Sequence, residues 1–453
     1  MLLLAVTSLV VISSGVFNNT DFAHAQSVPT PSGYSGTQAA EWAQQNVYSD
    51  VYSDGAPFYG ENDCANFVSH AMAAGGLNDG DIIWVPTLYN WVLANGGVLV
   101  SSVTQLVPGD LIFFQWPSSQ YSWDHVTMYI GSGMVSTHGD VNPAYAPSYG
   151  TIKPWWRWGT ASDIAFVHFP GQPALSPNQL IQVSSMSSFP SGNGYWMVNT
   201  SGDVAAFGAA PNEGSTMGMY LAADIVGIVP DNKTGGYWLV GGDGGVFSFN
   251  APFYGSVPGL NIPLSNAQIV GMAASSSDGG YWLVASNGAV FGFGKAPYYG
   301  SAVGQLEGLA GVSIVDIVRS PHGQGYWLVA SNGAVYNFGQ AEWLGSLNSS
   351  PQGLSSPQGL SNQGLMLPVV GASATSNSQG YWLVASNGAV YAFGAAKFLG
   401  SPVQSTGSTS TASLDPAVGV AATPNGSGYW LASSSGAVFG FGQVGYFGSA
   451  LSG

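Results

Sequence analysis

The sequence predicts two fold classes in tandem: an α+β domain over residues 28–169 and an all-β repeat domain over 178–453 built as a six-bladed β-propeller. Three observations carry that expectation. The chain has 453 residues, more than one core usually organises at roughly 150 residues per domain. A Gly-Tyr-Trp triplet recurs at Trp196, Trp238, Trp282, Trp327, Trp382 and Trp430 and does not occur earlier in the chain. Between the irregular first part and the repetitive second lies a Pro-rich stretch, residues 170–177, which reads as an interdomain linker.

Composition bounds both parts. Hydrophobic residues make up 46% and aromatics 13% of the chain, enough for packed cores despite 65 glycines. Only 6% of residues are charged, against roughly 25% in an average soluble domain. Asp and Glu outnumber Lys and Arg by 22 to 6, and the net charge is -16. Such a chain repels phosphate backbones and has no basic run to neutralise them, so nucleic acid is excluded as an expected partner. With few carboxylates, few groups lose favourable interactions on protonation, which suits an acidic exterior.

The N-terminus reads as an export signal over residues 1–25. An apolar run from Leu2 to Ile12 precedes a polar stretch and Ala23-His24-Ala25, which predicts cleavage after Ala25 and a secreted or wall-associated protein. The run falls short of the roughly 20 residues that span a bilayer, so no membrane span is expected after cleavage. No Lys or Arg precedes Lys153, so the signal lacks a basic first segment.

In the repeat region the triplets are spaced by 42, 44, 45, 55 and 48 residues. The long interval contains a near-tandem Ser-Pro-Gln-Gly-Leu-Ser at 350–355 and 356–361, which reads as an inserted loop. Within one unit, Tyr281 to Ala285 and Ala289 to Phe293 flank Ser286-Asn287-Gly288, and Asn-Gly is a strong hairpin signal. Ile269 to Ala273 before it and Tyr298 to Ser301 after it supply two further short strands, giving four per repeat. Radial closure hides the sheet edges, which favours the propeller over a β-solenoid. The triplet aromatics are expected in the core between blades rather than as sugar platforms.

The chemistry concentrates on the chain's single cysteine. Phe67, Val68, Ala71 and Met72 after Cys64 share one helical face, with Asp63 as N-cap and Gly75 as stop. Cys64 then occupies the first turn, where backbone N–H groups and the macrodipole favour a thiolate. One cysteine cannot form an intramolecular disulfide, and a lone exported thiol invites oxidation, so it calls for a reason to exist. Further on, Gly109-Asp110-Leu111 enters a buried strand, His125 stands at the mouth of a second, and Met134 to Asp140, with His138 within it, makes a third.

This order resembles the bacterial amidase domain allied to the NlpC-type cell-wall endopeptidases and CHAP amidases. There a helix-borne Asp-Cys motif precedes a Gly-Asp-Leu strand and a histidine strand. The likeness spans about residues 37–169 and implies a papain-like cysteine hydrolase acting on peptidoglycan. Carried over, Cys64 is the nucleophile, His125 the general base and acid, and His138 the residue orienting His125, with Asp140 as the alternative orienter. The Cys64 backbone N–H is one oxyanion donor and Tyr59 a second candidate. The repeats resemble Gly-Tyr-Trp-Leu-Val repeats attached to exported actinobacterial enzymes, and a wall glycan is their expected ligand.

The remaining residues have plainer readings. His70, six residues past Cys64, and His168, alternating with apolar neighbours, are expected to be structural. One cysteine and scattered histidines give no recognised metal-ligand spacing, so neither metal nor cofactor is expected. Trp155-Trp156-Arg157-Trp158 suits either a substrate groove or the back of the sheet. The leading expectation is a secreted cysteine amidase or endopeptidase. Its alternatives are a non-catalytic surface binding protein and an acyltransferase with the same three residues.

Overall fold

The computed structural model describes residues 33–47, 64–117, 120–138, 150–155, 161–172, 182–219, 221–264, 266–275, 279–320, 324–347, 368–403 and 415–451. The export signal, Tyr59, Asp63, Asp140, residues 156–158, residues 173–177 of the linker and the tandem insert lie outside them.

The first unit is built from helices α1 (Gly36–Asn46), α2 (Cys64–Ala74) and α3 (Val85–Ala94). Strands β1 (Val98–Val100), β2 (Leu111–Gln115), β3 (His125–Gly131), β4 (Met134–His138), β5 (Gly150–Pro154) and β6 (Asp163–His168) follow. They form one antiparallel sheet in the order β1-β6-β2-β3-β4-β5. Ser35 starts α1 by accepting the Gln38 N–H, as an N-cap serine does. Small residues of α1 (Ala39, Ala40, Ala43) and larger ones of α2 (Phe67, Val68, Met72) share a core with Leu111, Phe113, Val126, Met128 and Ile130.

The turn into β2 is pinned from two sides. Gly109 has φ +93, and a Cβ there would lie 2.1 Å from the Gly36 Cα, so backbone meets backbone at the start of α1. Asp110, fully buried, accepts the N–H groups of Val107 and Phe169 at 2.7 and 2.8 Å and meets His168 Nδ1 at 2.7 Å. Burial raises the Asp110 pKa despite that partner, and the partnership raises that of His168. His168 is structural, as expected, and its role is to neutralise the Gly-Asp-Leu carboxylate.

Six three-stranded sheets follow. The first is β7 (Val183–Ser188), β8 (Gly194–Asn199) and β9 (Val204–Gly208); the second is β10 (Ile225–Pro230), β11 (Tyr237–Gly241) and β12 (Val246–Phe249). The third is β13 (Ile269–Ala274), β14 (Gly280–Ala285) and β15 (Val290–Gly294); the fourth is β16 (Ile314–Arg319), β17 (Gly325–Ala330) and β18 (Val335–Gly339). The fifth is β19 (Val369–Ala374), β20 (Gly380–Ala385) and β21 (Val390–Gly394); the sixth is β22 (Ala417–Ala422), β23 (Gly428–Ser433) and β24 (Val438–Gly442). Each first strand neighbours the next sheet's first strand, and β22 returns to β7, closing a ring.

Each member of the triplet has its own task. A Cβ on Gly280 would lie 2.2 Å from the Phe293 carbonyl oxygen, so only glycine fits under the neighbouring strand. The tyrosine reaches back to the preceding repeat: Tyr281, Tyr326 and Tyr429 donate to the carbonyls of Gly255, Gly300 and Gly400 at 2.6 Å. The tryptophan closes its own repeat, as where Trp282 Nε1 donates to the Pro297 carbonyl at 2.8 Å. Tyr195 donates to Gly448 at 2.5 Å, so the same clamp joins the last repeat to the first and rules out an open solenoid. The triplet aromatics thus fill the layers between sheets, as expected of a core.

Two expectations about the fold are corrected. The α+β papain-like cysteine hydrolase domain is not what residues 28–169 form. Among the described residues the structure is mostly β, 39% strand against 12% helix, with three α-helices and seven antiparallel sheets. The helical spacing around Cys64 extends over only three short helices, while every apolar run from Val98 to His168 that pairs does so in one sheet. Likewise the repeats give three strands each, not the four of the expected six-bladed β-propeller. The segment around Tyr299 and Gly300 forms no ladder because its backbone is spent on Tyr326, whose hydroxyl meets both residues.

The sheet's second face explains how the units meet. Ile112, Phe114, Tyr129, Val135 and Trp155 share a core with Trp196, Val198, Ile225, Tyr237 and Leu239 of the ring. Trp155 therefore packs the back of the sheet. The tight β3–β4 turn docks on the ring, where Asn199 Nδ2 and Ser201 Oγ donate to the Ser132 carbonyl at 2.8 and 2.5 Å. Among the described residues no helix is long and apolar enough to cross a membrane.

Candidate active site

Cys64 is the first residue of α2 and only 5% exposed. The orphan N–H groups of the first helical turn lie around it, the environment that stabilises a thiolate and later an oxyanion. It belongs to the same core as Phe113, Val126 and Met128, on the sheet face that the helices cover.

His138 ends β4 on that same face and is 1% exposed. Its ring stacks on Phe67, with centroids 4.4 Å apart and planes 14° apart. Phe67 lies three residues after Cys64, just under one helical turn and about 4.5 Å along the axis. On its other side, His138 Nε2 lies 3.0 Å from the Val47 carbonyl oxygen, just past the end of α1. A carbonyl can only accept, so Nε2 carries the proton and the lone pair of the neutral ring is on Nδ1. Ser136 Oγ donates to the Ala43 carbonyl at 3.0 Å, a second tether between β4 and α1.

His125 stands elsewhere. It opens β3, and alternation sends Val126, Met128 and Ile130 towards the helices but His125, Thr127 and Tyr129 to the opposite face. Its register partner is Phe114, its ring lies 6.3 Å from Phe114 and 6.0 Å from Trp116, and Thr137 Oγ1 is 3.4 Å from Nε2. Burial pushes its pKa down to about 3, with the charge of Lys153 adding to the effect. A ring that stays neutral to that extent is a poor carrier for the thiol proton. The structure therefore brings His138 rather than His125 to the Cys64 face.

Asp140 and Tyr59, the other residues expected here, lie outside the described residues. His70 stacks on Trp42 with centroids 6.1 Å apart and lies 3.4 Å from Asp81, as befits a structural residue. Sequence reasoning missed Val47, a backbone acceptor with no side-chain signature, and Phe67 as the aromatic platform under His138. The ladder register separates the histidines: Met128 pairs with Ser136, which sets His138 across the ladder from Val126, not His125. Among the described residues no three His, Cys, Asp or Glu side chains converge as metal ligands do. No protein-family model and no curated protein matches this chain.

Proposed function

We propose that this protein is an exported thiol-dependent amide hydrolase of bacterial cell-wall peptides, with Cys64 as nucleophile and His138 as the proton carrier. The observation that carries this reading is the helix-start cysteine with an imidazole stacked one turn along its helix and held by the Val47 carbonyl. His138 Nδ1 takes the thiol proton, and the thiolate attacks the carbonyl carbon while the Cys64 N–H receives the oxyanion. The imidazolium returns its proton to the leaving amine, giving a thioester. Nδ1 then deprotonates a water that attacks the thioester, releasing the carboxylic acid and the thiol. The carbonyl end of α1 faces the ring with partial negative charge, the polarity that suits the transient imidazolium. The wall as substrate rests on the motif order and the export signal.

The burial of Cys64 and His138 favours a second reading, a non-catalytic surface protein in which both are core residues. A peptidyl epoxide and mass spectrometry separate the two. The hydrolase reading expects one adduct on Cys64, none in Cys64→Ser, and slower labelling in His138→Ala. A Cys64 that stays unmodified in the folded protein supports the second reading.

For the ring we propose attachment to the wall glycan. Phe253, Tyr298, Trp343 and Tyr446 are 59%, 63%, 50% and 65% exposed. Each stands two residues before the glycine that its successor tyrosine clamps, so the ring presents flat aromatic faces at a repeated position. Flat apolar faces with few charges nearby suit the C–H faces of sugar rings. Replacing all four by alanine is expected to weaken cosedimentation with purified wall at least about tenfold. Undiminished cosedimentation of a folded variant would remove this role.

A further inference from the structure

The six first strands of the ring line a central cavity of about 780 Å³, within the range of small-molecule sites. Its walls are nearly free of charge, and the register of the repeats shows where that rule breaks. At the level paired with the triplet tyrosines stand Ser188, Pro230, Ala274, Arg319, Ala374 and Ala422. Three residues earlier on the same strands stand Ser185, Gly227, Gly271, Asp316, Gly371 and Gly419. Five repeats fold with small residues at both levels, so the fold itself demands neither the arginine nor the aspartate of the fourth.

The two charged groups have different surroundings. Asp316 has its own partners: its oxygens accept the N–H groups of Ile317 and Ala372 at 2.8 and 2.9 Å and tie the fourth sheet to the fifth. Arg319 lies about 10 Å further along the same strand. Its guanidinium makes no side-chain hydrogen bond or ion pair with any described residue, and burial alone lowers its pKa. It is one of two arginines in a chain of net charge -16. A half-buried guanidinium without an anion is costly to keep, and its planar fork matches a carboxylate. Ser188, Ser376 and Thr423 add hydroxyls to the same cavity.

We propose that this cavity binds a small carboxylate-bearing ligand, with Arg319 clasping the carboxylate and the ligand's N–H or O–H donors directed towards Asp316. Two sources share that chemistry: the free carboxylate of a short peptide and the uronate of an acidic sugar. The site is independent of the Cys64 chemistry, and the test uses the full-length Cys64→Ser protein so that no probe is cleaved.

Calorimetric titration with acetyl-dialanine and with digalacturonate, each beside its neutral amide or methyl ester, tests the proposal. One acid is expected to bind and its neutral form not, and which acid binds identifies the source. Arg319→Ala is expected to weaken that binding about 10- to 100-fold, with Arg319→Lys between; if the alanine variant fails to fold, Arg319→Gln takes its place. Equal binding of acid and neutral forms, no binding of either acid at millimolar concentration, or undiminished binding by a folded Arg319 variant overturns the proposal.

Discussion

His138→Ala is expected to lower kcat/KM for amide cleavage about 10³-fold, whereas His125→Asn leaves it within about tenfold. The two histidines separate because a strand has only two faces. His138 lies on the face that α1 and α2 cover, stacked on Phe67 and held by Val47. His125 lies on the face packed towards the ring, beside Phe114 and Trp116. Amine release from purified wall peptides measures the rates, and added imidazole should restore part of the His138→Ala activity but none of a loss caused by misfolding. The opposite order, with His125→Asn inactive and His138→Ala near normal, would return the proton transfer to His125.

Lowering the pH from 7 to 3 should cost the wild type roughly 4–5 kcal/mol more folding stability than it costs His125→Asn. In the folded protein His125 is neutral, its pKa depressed from 6.5 to about 3 by burial at 3% exposure. Below about pH 6.5 the unfolded chain takes up a proton that the folded chain refuses, so the stability contributed by the neutral ring is lost as pH falls towards 3. Asp203 and Asp316 act in the other direction, because burial raises their pKa values to about 6 and about 7. Their folded states hold protons that the unfolded chain releases, so they add stability as pH falls through those values. Those contributions are common to both proteins and cancel in the comparison. Urea unfolding at pH 7, 5 and 3 supplies the measurement, and parallel curves for the two proteins would show that His125 is not buried neutral.

Taken together, these groups bear on the expectation of an acid-tolerant protein. Scarcity of carboxylates was the sequence argument. The structure adds that Asp203 and Asp316 are destabilised as carboxylates by burial, so protonating them relieves the fold instead of breaking it. His125 opposes that relief.

Legibility in the sequence followed the range of the interactions involved. The start of α2 at Cys64 was readable because apolar spacing within eleven residues defines a helical face. The repeat was readable because Gly280, Tyr281 and Trp282 each meet a separate local demand of sterics or hydrogen bonding. The fold class of the first unit was not, because motif order does not say which apolar runs pair. β6 inserts between β1 and β2, so the last strand of the unit lies beside its first two. The fourth strand of each repeat was overcounted for a related reason: Tyr298 to Ser301 has strand composition, yet its backbone is taken by the tyrosine of the next repeat.

By itself the sequence determined the position of the nucleophile candidate, the number of repeats and the acidic, sparsely charged composition. These depend on residues close together in the chain, or on identity alone. Tertiary structure decided which histidine shares a face with Cys64, which aspartate pairs with His168, and that Arg319 lines the central cavity without an ion pair to any described residue. Each of those depends on register and closure, which bring together side chains that the chain order keeps apart.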